Sequence, residues 1–309
     1  MFHKITEYAL KGTPFLFYTD YKGDKAHVYP LDMLQKYGVS YAFNASYTPH
    51  DTKLKRSPLT FNKYKSKFDA YIAEIKKGNS YLGNLTQPSP VTCKLSLKEI
   101  FDIANAPYKL LVDGAFVCFS PEPFIKIENN TIHTFPMKGT IDAATPNAES
   151  VILKNAKEMA EHVMIVDLLR NDLGIVSSNV NVKRFRYIEK IAAGDKELLH
   201  VSSHIKGTLA PTWKNNLGDI IRKLLPAGSI SGTPKKRSVE ILEAIEEYDR
   251  GYFSGIFGVF DGKTVQSAVM IRFIEQSDQG LIYKSGGGIT LDSNAEDEYK
   301  EMIDKVYIP

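Results

Sequence analysis

The feature that most constrains the fold is a pair of strand-like runs, Phe124-Ile125-Lys126-Ile127 and Thr131 to Phe135, joined through an Asn129-Asn130 turn. Asparagine tolerates the left-handed backbone that a tight hairpin turn demands, so the two runs are expected to pair antiparallel. Such a hairpin brings what enters it beside what leaves it. Ser120-Pro121-Glu122 enters, and Pro136-Met137-Lys138-Gly139-Thr140 leaves. The second segment reads as a turn, because Pro fixes one side and Gly lets the backbone come close to a ligand. A carboxyl and an amine on one rim can divide leaving-group protonation and nucleophilic attack between them. Alone, a Lys-Gly turn and a Glu after Pro are also ordinary surface features in a chain with 39 Lys and Arg.

The remaining pattern mixes the two kinds of element. The first sixty residues read as short strands and turns, and the polar, proline-bearing segment Thr48 to Pro58 is the one plausible linker. Phe61 to Lys77 has helical spacing and ends at Gly78; strands follow at Tyr81 to Leu85 and Lys109 to Phe119. A helix is expected from Thr145-Pro146 to about Leu169, a strand from Glu197 to Leu209, and a helix from Lys235 to Tyr248. Strand-like runs near Tyr252–Phe260, Thr264–Phe273 and Leu281–Lys284 precede a closing helix, Ser293 to Val306, with Ser293 and Glu296 as its capping box. No regular βαβ alternation appears, which points to α+β.

Composition narrows the setting. With 309 residues, 43% of them hydrophobic and 24% charged, the chain can bury a substantial core like any soluble globular protein. A net charge of +3, with no basic run interleaved with aromatics, gives no footprint for nucleic acid. Cys93 and Cys118 fit no metal spacing, and no run reaches membrane-spanning length, so a cytoplasmic protein is expected.

Two carboxylate pairs repeat one spacing: Glu158 with Glu161, and Glu298 with Glu301. Each pair lies on one helix face. Facing each other, they would offer oxygen ligands to Mg²⁺; singly, each is equally a solvated face. Pro226 to Lys235 is glycine-rich but one residue too short between Gly228 and Gly232 for a phosphate loop. Leading into a helix, it can still offer amides to a carboxylate. Gly286-Gly287-Gly288 is either a surface where an anion touches bare amides or a tight turn before the last helix. Arg272 could clamp a carboxylate or simply lie at the surface.

Taken in order, these segments resemble the chorismate-utilising enzymes, which include the anthranilate and aminodeoxychorismate synthase components I and the isochorismate and salicylate synthases. The matching pieces are Ser-Pro-Glu at 120–122, Pro-Met-Lys-Gly-Thr at 136–140, Glu161-His-Val-Met-Ile-Val-Asp-Leu-Leu-Arg-Asn-Asp172 and His200-Val-Ser-Ser. Pro226-Ala-Gly-Ser-Ile-Ser-Gly-Thr-Pro-Lys-Lys-Arg237, Gly251-Tyr-Phe-Ser-Gly-Ile-Phe-Gly258 and Gly286 to Ser293 complete the set, which spans roughly Phe61 to Lys305. The resemblance implies two β-sheets packed as a sandwich with flanking helices. Residues 59–309 would form the chorismate-binding domain, and 1–58 a short β-rich segment of the same compact unit. It implies that Glu158, Glu161, Glu298 and Glu301 hold Mg²⁺, and that Glu122 is the general acid. Tyr252, Arg272, the amides of Gly286, Gly287 and Gly288, and Lys305 would bind carboxylates, with Thr140, His200 and Gly232 lining the ring pocket.

Within this family the resemblance assigns Lys138 to the aminodeoxychorismate branch, where such a lysine is thought to add at C2 before ammonia enters at C4; that role requires a partly neutral amine. Anthranilate synthases typically carry Ala at this place, and anthranilate synthesis is the alternative. Enzymes that add water use a lysine in the strand corresponding to Tyr81 to Leu85; the matching residue here is Leu82, which cannot activate water. The Leu-Leu-Glu-Ser motif of a tryptophan pocket is absent, which argues against tryptophan feedback. Neither cysteine lies in a glutaminase context, so ammonia is expected from solution or from a separate glutamine amidotransferase subunit. A non-catalytic scaffold for that glutaminase is a further alternative, disfavoured by retention of all five carboxylates.

Overall fold

Asn129 and Asn130 take φ of 48° and 57° in the computed structural model, the left-handed pair that closes a two-residue hairpin. Pro123–Glu128 and Thr131–Thr134 pair antiparallel across it, with Lys126 opposite His133 and Ile127 opposite Ile132. The structure describes residues 1–44, 54–193 and 196–309.

This hairpin lies in the middle of the first of two antiparallel sheets. From it the sheet runs one way through Val265–Val269, Ile256–Phe260 and Phe15–Thr19 to Ala26–Pro30. The other way it reaches Lys196–Thr208, which Met137–Asp142 and the long strand Ser178–Ala193 both join. The second sheet is ordered Gly232–Thr233, Leu82–Thr92, Gly280–Thr290, Phe273–Ser277, Phe116–Ser120, Tyr108–Val112 and Val39–Phe43. Leu16, Tyr18 and Phe257 of the first sheet pack against Leu110, Phe116 and Phe273 of the second, filling the space between them.

Helices close the outer faces. Phe2–Lys11, Ala156–Val176 and Leu217–Leu224 bury Ile5, Ile165, Leu169 and Ile221 on the first sheet. Phe61–Lys76, Lys235–Glu246 and Ala295–Asp304 cover the strands Leu82–Thr92 and Gly280–Thr290 with Tyr64, Tyr71, Leu242 and Met302. The architecture is α+β: two antiparallel sheets with helices outside. Among the described residues, no helix is long and apolar enough to cross a membrane.

Several boundaries differ from the sequence reading. Residues 2–11 form a helix rather than strands, and Leu97–Ile103 is a helix whose capping box is Ser96 with Glu99. Lys109 to Phe119 is two strands, folded back at Gly114, whose φ is 68°. The helix expected after Pro146 is interrupted at Asn155, whose side chain caps a second helix, Ala156–Val176, by accepting from the Glu158 amide. The last helix is capped by Asn294, not Ser293, whose hydroxyl instead donates to Glu298. Gly286 to Gly288 are not a turn but the continuation of the strand Gly280–Thr290. Of the expected linker, residues 48–53 lie outside the described residues, and Lys55–Arg56 pairs as a strand with Val91 and Thr92.

Candidate active site

Lys138 sits on an irregular strand, not in a turn. The register of Met137–Asp142 against Lys196–Thr208 shifts between Met137 and Thr140, and Gly139 between them has φ 88°. The glycine permits this bulge, which turns Lys138 off the ladder. Its Nζ lies 3.7 Å from Glu161 Oε2. A Cβ placed on Gly288 would come within 3.1 Å of that Nζ and 3.6 Å of Leu82 Cδ1, so the lysine, the bare strand and the leucine meet at one point.

Around this point lies a cavity of about 250 Å³, whose lining includes Glu122, Lys138, Thr140, His200, Arg272, Gly286, Gly288 and Lys305. Glu122 and Lys138 thus share one rim as the hairpin implies, but they are not an ion pair. Lys138 faces Glu161, while Ser229 shares the cavity wall with Glu122. Burial pushes the Glu122 carboxyl above the ordinary range, against the pull of Ser229 and of the Lys138 and Lys305 charges. The shift is toward the protonated acid. His200 Nε2 stands 3.4 Å from Thr140 Oγ1, and burial lowers its pKa.

The glycine strand supplies amides for a physical reason. Phe273–Ser277 covers Gly280–Thr290 only from Gly280 to Lys284, leaving one edge open beyond that point. In an antiparallel strand, alternate residues turn both N–H and C=O to the same side. Lys305 Nζ donates to the Gly286 carbonyl at 2.9 Å from that open side, and Gly286 and Gly288 both line the cavity. Lys305 also meets Glu301 Oε1 at 2.6 Å, and burial lowers its pKa. Arg272, with φ 51°, donates to the Lys305 carbonyl and lies over the Tyr307 ring.

Against this cavity lies a second, of about 290 Å³, lined by Lys138, Gly139, Thr140, Lys157, Glu158, Glu161, Gly288, Glu298 and Glu301. All four predicted glutamates therefore meet. Burial, then Glu161, raises the Glu158 pKa; burial raises that of Glu298, with Glu301 and Glu161 adding repulsion. Burial pushes Glu301 the same way, but the Lys305, Lys138 and Lys157 charges together outweigh it and the net shift is downward. Among the described residues no three acidic, His or Cys side chains already form a closed ligand set. Lys157 and Lys138 stand between the carboxylates, 3.6 Å from Glu298 and 3.7 Å from Glu161. An all-oxygen donor set whose members repel one another fits a hard divalent cation such as Mg²⁺, which would relieve that repulsion.

Three expected residues are placed elsewhere. The Tyr252 hydroxyl meets His27 Nε2 at 2.7 Å and its ring stacks on Phe116, in an aromatic cluster outside the cavity lining; Phe253 and Ser254 take the lining positions. Gly232 pairs with Gly83, where a Cβ would lie 2.4 Å from the Leu82 carbonyl, so its role is close backbone approach. Gly287 is not among the residues lining the first cavity, and a Cβ on it would meet Glu298 and Glu301. Ser229, Ser254, Asn84 and Lys284 line the cavity without having been expected. Ser229 lies in the segment read for its amides, whereas nothing in the sequence marks Lys284, a buried lysine held by Glu275.

Comparison with known proteins places the chain in a family. A sequence profile described as chorismate binding enzyme matches residues 23–308. A protein of Haemophilus influenzae named as an uncharacterized PabA-like protein is 47% identical over 99% of this chain and 95% of its own length. Aminodeoxychorismate synthase component 1 of Salmonella typhimurium is 33% identical over 82% of this chain, which covers 58% of that relative. Among solved structures, anthranilate synthase component I from Streptococcus pneumoniae superposes with a TM-score of 0.67 at 27% identity, covering 82% of this chain and 58% of that one. A putative 2,3-dihydroxybenzoate-specific isochorismate synthase from Bacillus anthracis shares the fold, with a TM-score of 0.73 over 98% of this chain and 85% of its own, at 17% identity. The chain belongs to the chorismate binding enzyme family.

Proposed function

We propose that this protein is an aminodeoxychorismate synthase component I, converting chorismate and ammonia to 4-amino-4-deoxychorismate and water. The observation that carries this reading is the placement of Lys138: its amine stands on the cavity wall beside Glu161 and Leu82, on the same rim as Glu122. The anionic substrate would enter a cavity bearing Arg272 and Lys305 and the open amides of Gly286 and Gly288, which fix its carboxylates. Glu122 gives its proton to the departing C4 hydroxyl, which leaves as water, while Lys138 reacts through its unprotonated amine, forming a bond to C2 and releasing a proton to solvent. Ammonia then bonds to C4 and the Lys138 nitrogen leaves C2, regaining its proton. Glu158, Glu161, Glu298 and Glu301 would hold Mg²⁺, which supplies charge neutralisation and orientation for the ring carboxylate. Leu82 offers no base at the place where water would be activated.

The component naming of the relatives supports a separate glutamine amidotransferase as ammonia donor. The deciding experiment incubates the protein with chorismate, Mg²⁺ and ammonium salt, with and without aminodeoxychorismate lyase, and identifies products by mass spectrometry. p-Aminobenzoate appearing only with lyase is the expected result, and Lys138→Ala should abolish it. Anthranilate formed without lyase would refute the branch assignment, and an unchanged Lys138→Ala rate would refute the nucleophile.

A further inference from the structure

His162 has no part in the reaction above, yet it is fully buried on the helix that carries Glu158 and Glu161. Its Nε2 lies 2.6 Å from the hydroxyl of Ser203, which is also fully buried. Ser203 works in three directions. Its Oγ accepts from the Arg186 amide at 2.9 Å, its own amide donates to the Pro136 carbonyl at 2.9 Å, and its hydroxyl meets His162. The other side of the imidazole faces the Lys138 backbone carbonyl, short of hydrogen-bond geometry, so Nδ1 is enclosed without a settled partner. If the Ser203 proton goes to Nε2, the ring proton sits on Nδ1 and points at that carbonyl. The opposite tautomer would set two lone pairs against each other.

The backbone is thus engaged at Pro136 and faced at Lys138, where Met137–Asp142 breaks register. Across the sheet, Ser178–Ala193 breaks at the same level: its register shifts between Arg184 and Tyr187, and Arg186 carries φ 48°. A non-glycine residue stays in the left-handed region only when its surroundings over-determine it. Here the Arg186 guanidinium is held by the Ile152 and Leu153 carbonyls while its amide feeds Ser203. Bulges beside active sites serve to re-aim side chains, and two bulges converge on one serine.

We propose that His162 and Ser203 clamp the Pro136–Lys138 backbone and so aim the Lys138 amine between Glu161 and Gly288, making both of them positioning residues for amination. This rests on Lys138 being the reacting amine, and the test separates the two ideas. Ser203→Ala, His162→Phe and the hydrogen-bonding His162→Gln would be compared with the natural protein, with circular dichroism confirming folding. The first readout is competitive acetylation by acetic anhydride, mapped by mass spectrometry, with exposed Lys157 as internal reference. Lys138 should label severalfold faster relative to Lys157 in Ser203→Ala and His162→Phe, and return toward the natural ratio in His162→Gln. Because alanine keeps the Ser203 amide bond to Pro136, an unchanged ratio in both Ser203→Ala and His162→Phe overturns the clamp, whatever the protein synthesises. The second readout is kinetic: kcat should fall about 10- to 100-fold at unchanged KM for chorismate, as for a misplaced reacting group. A loss confined to KM would also overturn the proposal. If the natural protein makes no aminodeoxychorismate, the functional reading fails, and the acetylation ratio still decides the clamp.

Discussion

Replacing Glu246 with Gln should be the most damaging single change to the support beneath the cavity. Glu246 and Arg250 have side chains only 2% and 3% exposed. One carboxylate oxygen accepts from the Thr86 amide and hydroxyl at 2.8 Å each and from Arg250 Nη2 at 2.6 Å; the other accepts from Arg250 Nε at 2.8 Å. Glutamine preserves the shape but turns an N–H₂ group toward one of these donors and leaves a permanently charged guanidinium buried without its counter-charge. Breaking a buried pair in this way costs about 3–5 kcal/mol, a large share of the roughly 5–15 kcal/mol by which a domain is stable. With a urea dependence of about 3 kcal/mol per molar, the midpoint should drop by about 1 M or more. The assay is urea unfolding followed by circular dichroism and by Trp213 fluorescence. The same guanidinium holds the carbonyls of Ile230 and Asn84, both on the cavity wall, so KM for chorismate should rise before unfolding begins. A loss below about 1 kcal/mol would show that the pair is not an uncompensated charge in waiting, and would refute the argument.

Two further predictions concern the acid and the glycine strand. Because the folded protein keeps the Glu122 proton at pH values where the unfolded chain has released it, native Glu122 binds more protons across that window. Stability from this residue should fall as pH rises through its raised pKa, and kcat should lose its proton donor over the same range; Glu122→Gln should erase both slopes, as pH-dependent urea unfolding and rate profiles will show. Gly286→Ala places a Cβ 2.3 Å from the Leu85 carbonyl, which the backbone cannot yield cheaply. It should cost about 1–3 kcal/mol by overpacking and raise KM for chorismate, measured by thermal unfolding and initial rates.

What could be read from the sequence followed from local chemistry. The Asn129-Asn130 hairpin, the helix after Phe61 and the helix after Pro234 were legible because turn residues and helical spacing are local signals. The helix Phe2–Lys11 was missed because only Ile5 and Ala9 are buried, too few to mark a face. Gly286 to Gly288 left a turn and an open amide surface as alternatives: glycine signals a turn locally, whereas pairing with Leu82–Thr92 holds it extended. For the site, motif order marked residues that the fold brings to two adjoining cavities, including all four glutamates. It could not separate a lining residue from its neighbour, as Tyr252 beside Phe253 and Ser254 shows, nor see that the ion partner of Lys138 is Glu161. Those distinctions depend on bulges and pairings between distant strands.

The pairing of Phe15–Thr19 with Ile256–Phe260 has a consequence for how the protein comes into being. Phe15–Thr19, paired locally with Ala26–Pro30, waits for its inner neighbour some 240 residues further along the chain, and Leu82–Thr92 waits likewise for Gly280–Thr290. During synthesis at about 5–20 residues per second, both strands remain without these partners until Ile256–Phe260 and Gly280–Thr290 have emerged. Contacts of such sequence separation slow folding and expose unpaired edges to misassociation. The glycine strand and the last two glutamates arrive in the same closing segment, so sheet completion and assembly of the cavity become a single late event, and a nascent chain has no partial activity to offer.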